Sequence, residues 1–316
     1  MRYLAGALLL AGCGPKLGPP TVDYGTASPM PMVHTSNDRQ RRYAIVDTEA
    51  HGERLFFVDS GYAQTTCDDD FAGELGLEPS GRVLIRGVGG TTVARKAALP
   101  PMSMGGHRVS DFTCIVRDLN TTSSIDDPPE VAVAGVLGAD LMRRFVTVFD
   151  PEQAQLSLLP PEQEYPHGES SIPLGVRGSR GPRFVLEARI EQHRGRWLMD
   201  TGANSSTIGG GYYGLEPDEV RENAWIGGTG PSGGSTMSLA FYRDLTLWLG
   251  NQSVDSLRMV HRSRSPLGFD LMGLDVLGHF AMTLDPHRRQ LHLRRIERRP
   301  LPQWQEVQRD RDATRP

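Results

Sequence analysis

Two stretches of the chain carry the same hydrophobic pattern. Tyr43 to Gly61 and Phe184 to Gly202 each alternate apolar and polar residues, break at a Gly-containing polar turn, and resume as an apolar run. Each run ends in Asp, a small hydroxyl residue and Gly: Asp59-Ser60-Gly61 and Asp200-Thr201-Gly202, 141 residues apart. Period-two alternation around a polar turn predicts a β-hairpin, here one whose second strand delivers the Asp. The same order of parts then follows twice. A Gly-rich turn comes first (85–92 and 226–236), then a strand ending in a Gly turn, then another strand. Each copy closes on an apolar–Gly segment (134–160 and 271–293) that leads into a strand, Asp-Pro and a last strand. Asp59 to Gly135 spans 76 residues and Asp200 to Gly273 spans 73. Five elements in order at near-equal spacing make the chain an internal repeat.

The repeat sets the expected organisation: a first β lobe over 39–160, a polar Pro-rich linker over 161–171, and a second β lobe over 172–295. The last segment, 296–316, is charged and reads as a surface strap or loose end with a short helix near 303–311. The 316 residues suffice for two lobes, and 36 Gly and 23 Pro favour short strands and turns over long helices. A net charge of −4 and the lack of a basic stripe with interleaved aromatics exclude nucleic acid as an expected partner. No CxxC or HExxH occurs and the nine His are scattered, so neither a metal nor a cofactor is expected. No G-x-S-x-G elbow supports a serine hydrolase.

At the N-terminus Arg2 precedes an apolar stretch, Leu4 to Ala11, and then Gly12-Cys13. The stretch is shorter than the roughly 20 residues that span a bilayer and has the length of a signal-peptide core. Its end resembles the lipobox of bacterial lipoproteins. That resemblance implies a signal peptide over 1–12, a lipid on Cys13, a flexible Pro/Gly/Ser-rich tether over 13–38, and a place in the bacterial cell envelope, anchored to a membrane. Cys67 and Cys114 then remain. In an oxidising compartment they are expected to form a disulfide, with two buried free thiols as the alternative. Ile208 takes the position of Cys67 in the second copy.

One Asp-Ser/Thr-Gly is usually a turn. Two copies at matching places of a repeat are different, because a pseudo-twofold pairing would bring both strand ends to one axis. Two carboxylates within hydrogen-bond reach cannot both ionise easily, so the pair holds one proton. The ionised member can then activate a water while the protonated member donates to a carbonyl. Ser60 and Thr201 offer hydroxyls to fix the loops, and Gly61 and Gly202 let the backbone turn and approach closely. Asp150 and Asp285, in matched Asp-Pro contexts, read as turn formers, and Asp275 as a turn or edge residue.

With these motifs the chain resembles the pepsin/retropepsin-like aspartic proteases, in the bacterial style that carries both lobes in one chain. The resemblance covers roughly 40–295 and includes Gly135-Val136-Leu137-Gly138 and Gly273-Leu274-Asp275-Val276-Leu277-Gly278. It implies a mostly β, bilobal acid-protease fold of two pseudo-twofold-related lobes. It also implies Asp59 and Asp200 as the catalytic pair, and flaps over the substrate built from Gly87, Val88, Gly89 and Gly90 and from Gly227 and Gly228. The implied activity is that of a monomeric endopeptidase acting on peptide or unfolded protein; a catalytically silent lipoprotein that binds a partner is the alternative. Tyr62 departs from the family, which has Ala or Ser there, and neither flap carries the Tyr of the pepsins.

Overall fold

The computed structural model describes residues 20–307 apart from 36–37, 50, 88–89, 120–132, 166, 179–181, 210–213, 227–234, 263–269, 298–299 and 304–306. The chain is mostly β. Among the described residues helix is confined to Asp69–Glu74, Ala139–Met142 and Leu274–Leu277, with a single helical position at Val307. None of these is long and apolar enough to cross a membrane. The strands join into one continuous hydrogen-bonded network, a β-rich aspartic protease fold.

Each half is built around the same strand pairings. In the first, Asp38–Asp47 and Glu53–Val58 form the hairpin, with Tyr43 opposite Phe57 and Ile45 opposite Leu55. Val133–Leu137 runs parallel to Glu53–Val58, setting Val136 beside Phe57 and Leu137 beside Val58. In the second half Arg183–Ile190 and His193–Met199 form the hairpin, with Leu186 opposite Trp197. Asp270–Met272 runs parallel to it, setting Leu271 beside Leu198 and Met272 beside Met199. The alternation read from sequence sorts the side chains by face. Phe56, Val58, Trp197 and Met199 all point into the main core. The register gives one refinement: Val185, not Phe184, is the counterpart of Tyr43, because the first hairpin spans one residue more between equivalent paired positions, Tyr43–Phe57 against Val185–Leu198.

The two halves meet in an antiparallel sheet. Val146–Asp150 pairs with Phe280–Asp285, and Val148 lies directly opposite Thr283. Both residues stand two before the Asp of an Asp-Pro, so the same repeat position faces itself and the pseudo-twofold passes between them. Gln155–Leu159 and Gln290–Arg295 flank this pair, with Met30–Pro31 and Ser170–Pro173 at the edges. Asp150 and Asp285 close the intervening turns, each Oδ1 accepting from the backbone N–H groups two and three residues on.

Two expected boundaries move. The segment read as a flexible tether is folded from Thr21 onward: Thr21–Asp23 pairs with His107–Ser110, and Met30–Thr35 pairs with Asp38–Asp47 and Gln155–Leu159. Its Pro-rich composition hides an alternation in which Met30 and Met32 enter the core while Pro31 takes an edge position. The second half opens at Ser170, inside the expected linker, as Ser170–Arg177. Cys13, at the proposed lipid anchor, lies outside the described residues.

Candidate active site

Asp59 and Asp200 each sit one residue past a strand, held by the parallel strand beside it. The Asp59 N–H donates to Leu137 O at 3.1 Å and the Asp200 N–H to Met272 O at 3.0 Å. Asp59 Oδ1 accepts from the N–H groups of Gly61 (2.7 Å) and Tyr62 (3.2 Å), and Asp200 Oδ1 from that of Gly202 (3.0 Å). The carboxyl groups meet across the interface and share a side-chain hydrogen bond. Burial, the Asp200 charge and that bond push the Asp59 carboxyl well above its ordinary range. Burial also raises Asp200, but its bond from Asp59, two backbone N–H groups and the Arg183 charge hold it down. Both carboxyls are thus raised, Asp59 the more strongly, and the pair favours holding one shared proton.

The neighbouring residues lock this geometry reciprocally. The Ser60 N–H donates to Thr201 Oγ1 (3.0 Å) and the Thr201 N–H to Ser60 Oγ (3.1 Å). Each hydroxyl then donates across the interface, Ser60 Oγ to Met199 O and Thr201 Oγ1 to Val58 O, both at 2.9 Å. Both side chains are fully buried, so four polar groups from two halves satisfy one another. Gly61 and Gly202 lie against the opposite carboxyl. A Cβ on Gly61 would fall 2.5 Å from Asp200 Cγ, and one on Gly202 would collide with Asp59 Oδ2.

A second layer fixes the loops, and here the sequence alignment of the closing segments needs correction. Gly138 begins the helix Ala139–Met142 as Gly273 begins Leu274–Leu277. Gly138, not Gly135, is thus the counterpart of Gly273. At Gly138 a Cβ would meet Gln64 C at 2.8 Å, and at Gly273 it would meet Ala203 O at 2.7 Å, so the two chains cross with no room for a side chain. The shift reveals a pair that the sequence reading missed. Asp140 Oδ1 accepts from the N–H and hydroxyl of Thr65, both at 2.9 Å, and Thr65 Oγ1 accepts from Gly138 N–H. Asp275 Oδ1 accepts from the N–H and hydroxyl of Ser206 at 2.9 and 2.6 Å, and Ser206 Oγ accepts from Gly273 N–H. Asp275 is therefore a brace of the dyad loop rather than an edge residue. Burial raises Asp140 to about 6 and raises Asp275 as well. The signal was present as equal spacing: a hydroxyl six residues after each dyad Asp, and an Asp two after each crossing Gly.

Tyr62 continues the first dyad loop where the second has Ala203. Its hydroxyl accepts from Arg117 at 3.5 Å, and burial raises its phenol. Cys67 and Cys114 are joined by a disulfide, Cα to Cα 5.7 Å, behind the loop. Among the flap residues, Gly87 and Gly90 face each other at the end of the hairpin Ser80–Gly87/Gly90–Leu99. Val88, Gly89, Gly227 and Gly228 lie outside the described residues. No curated protein matches the chain. Residues 45–141, which carry Asp59, its Ser60-Gly61, the crossing Gly138 and the brace Asp140, match the family model described as aspartyl protease, and this match supports an aspartic protease family for the chain.

Proposed function

We propose that the chain is a single-chain, two-lobed aspartic endopeptidase. The observation that carries this reading is the hydrogen-bonded Asp59–Asp200 pair, delivered by mirrored loops and sharing one proton. A peptide enters as an extended strand with a water between the carboxyl groups. Asp200 takes a proton from the water as its oxygen bonds to the carbonyl carbon, and Asp59 gives its proton to the carbonyl oxygen. The resulting gem-diol collapses: one hydroxyl returns a proton to Asp59, Asp200 passes its proton to the amide nitrogen, and the C–N bond breaks. No residue of the chain becomes covalently attached to substrate. The lipobox-like Leu10-Ala11-Gly12-Cys13 supports a lipid-anchored protein of the bacterial cell envelope, acting there as a monomer on peptides or unfolded segments.

Digestion of a mixed unfolded-peptide library across pH 3–7 tests the reading. The rate should follow a bell: it falls at low pH as the pair takes up a second proton, and falls at higher pH as the pair, raised by burial and mutual repulsion, loses its shared proton. Folded wild type that cleaves nothing anywhere in that range would instead favour the silent, peptide-binding alternative.

A further inference from the structure

Among the described residues four large apolar side chains are exposed: Tyr24, Leu84, Val93 and Val220. Tyr24 is accounted for by its hydroxyl on Arg144 O and its ring against His107 and Phe145. The other three lie on the hairpins that carry the Gly-rich turns. In the first, Ser80–Gly87 with Gly90–Leu99, Leu84 and Val93 stand directly opposite each other. Their neighbours Val83, Ile85 and Ala94 are half-buried or buried, so strand alternation leaves Leu84 and Val93 on the outward face, 66% and 51% exposed. Arg82 and Arg95, also exposed, line with Val93 and Ala94 an open concavity of about 390 Å³.

The charge around this apolar pair has one sign. From Pro79 to Ser110 the chain carries Arg82, Arg86, Arg95, Lys96 and Arg108 and no Asp or Glu, although its net charge is −4. Among the described residues no acidic side chain pairs with Arg82 or Arg95. The corresponding hairpin of the second half, Glu219–Ile226 with Ser235–Leu249, differs. Val220 is exposed there too, but Glu219 binds both Arg221 and Arg243, and Glu222 accepts from Ser238 Oγ. Its cations are neutralised in place, whereas those of the first hairpin are left for a ligand.

An apolar pair between unpaired cations matches a surface with negative charge at its rim and hydrocarbon just beneath. Water satisfies Arg82 and Arg95 but not Leu84 and Val93, while an anionic bilayer satisfies both. The start of the fold points the same way. Thr21–Asp23, which begins eight residues after Cys13, pairs with His107–Ser110 inside the acid-free stretch. Eight residues reach at most about 29 Å, so a lipid on Cys13 would hold this region near a membrane. We propose that the outward face formed by Arg82, Leu84, Val93 and Arg95 is a docking surface for an anionic phospholipid bilayer, which fixes the orientation of the body on the membrane. The inference does not rest on the protease reading.

The test is flotation of the full chain with vesicles of phosphatidylcholine alone or of phosphatidylcholine mixed with phosphatidylglycerol. Every sample carries Cys13→Ser, so that no lipid is attached, and the apolar stretch Leu4–Ala11 is common to all and cancels in the comparison. The docking surface predicts binding to the mixed vesicles that weakens as salt is added. Arg82→Gln with Arg95→Gln should weaken it about fivefold per Arg, about 25-fold together. Leu84→Ser with Val93→Ser should weaken it roughly tenfold. Val220→Ser, the same kind of change on the other hairpin, should leave it unaltered. All of these positions are exposed, so the fold is kept, and thermal melting checks this. Equal binding by all variants, or equal binding to both kinds of vesicle, overturns the proposal. So does a parent chain that ignores both vesicles but is retained on polyglutamate through Arg82 and Arg95, which assigns the face to an acidic protein instead.

Discussion

The two halves agree closely at the dyad and diverge immediately behind it. Ser60 and Thr201, Gly61 and Gly202, Thr65 and Ser206, Gly138 and Gly273, and Asp140 and Asp275 make equivalent contacts. One layer further out, the disulfide Cys67–Cys114 is matched by Ile208 and Met259, which the strand register places at the same positions and which are equally buried. Tyr62 is matched by Ala203, and the pair Ile45–Leu55 by Glu187–Arg196. The difference separates two kinds of constraint. Contacts made through backbone donors and acceptors at zero clearance admit few residue types. A packing contact accepts any side chains of suitable volume, including a covalent pair.

The strongest test of that equivalence is to break each carboxyl in turn. On the proposed protease reading, Asp59→Asn and Asp200→Asn should each lower kcat/KM by about 10²–10⁴, since each removes one of the two carboxyls that share the proton. The losses should be similar although Asp59 is the more buried. Substantial activity in only one variant would show that the halves share geometry but not chemistry.

The next effect in size is on stability. The disulfide closes a separation of 47 residues. In the chain-entropy account that is worth about 4 kcal/mol. Replacing both Cys67 and Cys114 by Ser should lose most of this in a denaturant titration. Grafting the second half's solution, Cys67→Ile with Cys114→Met, should recover part of it by burying apolar atoms. Ser and Ile/Met variants both as stable as the wild type would mean that the contact contributes through neither volume nor cross-link.

These paired positions also show what could be read from sequence. The apolar runs Leu55–Val58 and Trp197–Met199 and the two Asp-Ser/Thr-Gly turns were legible because short-range pattern determines them. The brace Asp140 was not, because Gly135 and Gly138 are three residues apart and either could be aligned with Gly273. Only the crossing at Gln64 and Tyr62 separates them: Gly138 meets those backbones, whereas Gly135 packs on Phe56 and Thr66. The strands at Thr21–Asp23 and Met30–Thr35 were hidden for a similar reason. Thr21–Asp23 pairs with His107–Ser110, and Met30–Thr35, beside its neighbour Asp38–Asp47, also pairs with Gln155–Leu159; these partners lie about 80 to 130 residues away, and composition carries no record of a distant partner.

The braces offer a smaller, pH-dependent comparison. An acid whose folded value lies above its unfolded one adds stability at low pH, and that stability is lost as pH rises toward the folded value. Asp140, at about 6 against 3.8 unfolded, should therefore make the fold less stable as pH rises from about 4 to 6. The change is at most about 3 kcal/mol before its partial exposure is discounted. Asp140→Asn should flatten that slope, because Asn Oδ1 can still accept from Thr65. Asp275→Asn should act in the same direction. An unchanged slope in Asp140→Asn would assign the titration to another group.

The smallest effect expected comes from exchanging the two hydroxyl residues. Ser60 and Thr201 each accept one backbone N–H and donate to one carbonyl of the other half. They differ only by a methyl group, and both are fully buried. Removing either hydroxyl leaves a buried N–H and a buried carbonyl unpaired, a loss of about 1–3 kcal/mol per group. The double exchange Ser60→Thr with Thr201→Ser keeps all four bonds and the same total volume. It should shift stability by less than about 1 kcal/mol and leave kcat within about twofold, provided each loop can hold the methyl in the place where the other holds it. A larger loss in the exchange than in Thr201→Ser alone would locate the asymmetry at Ser60, in the loop that carries Tyr62. It would show that the two halves have diverged at the dyad itself and not only behind it.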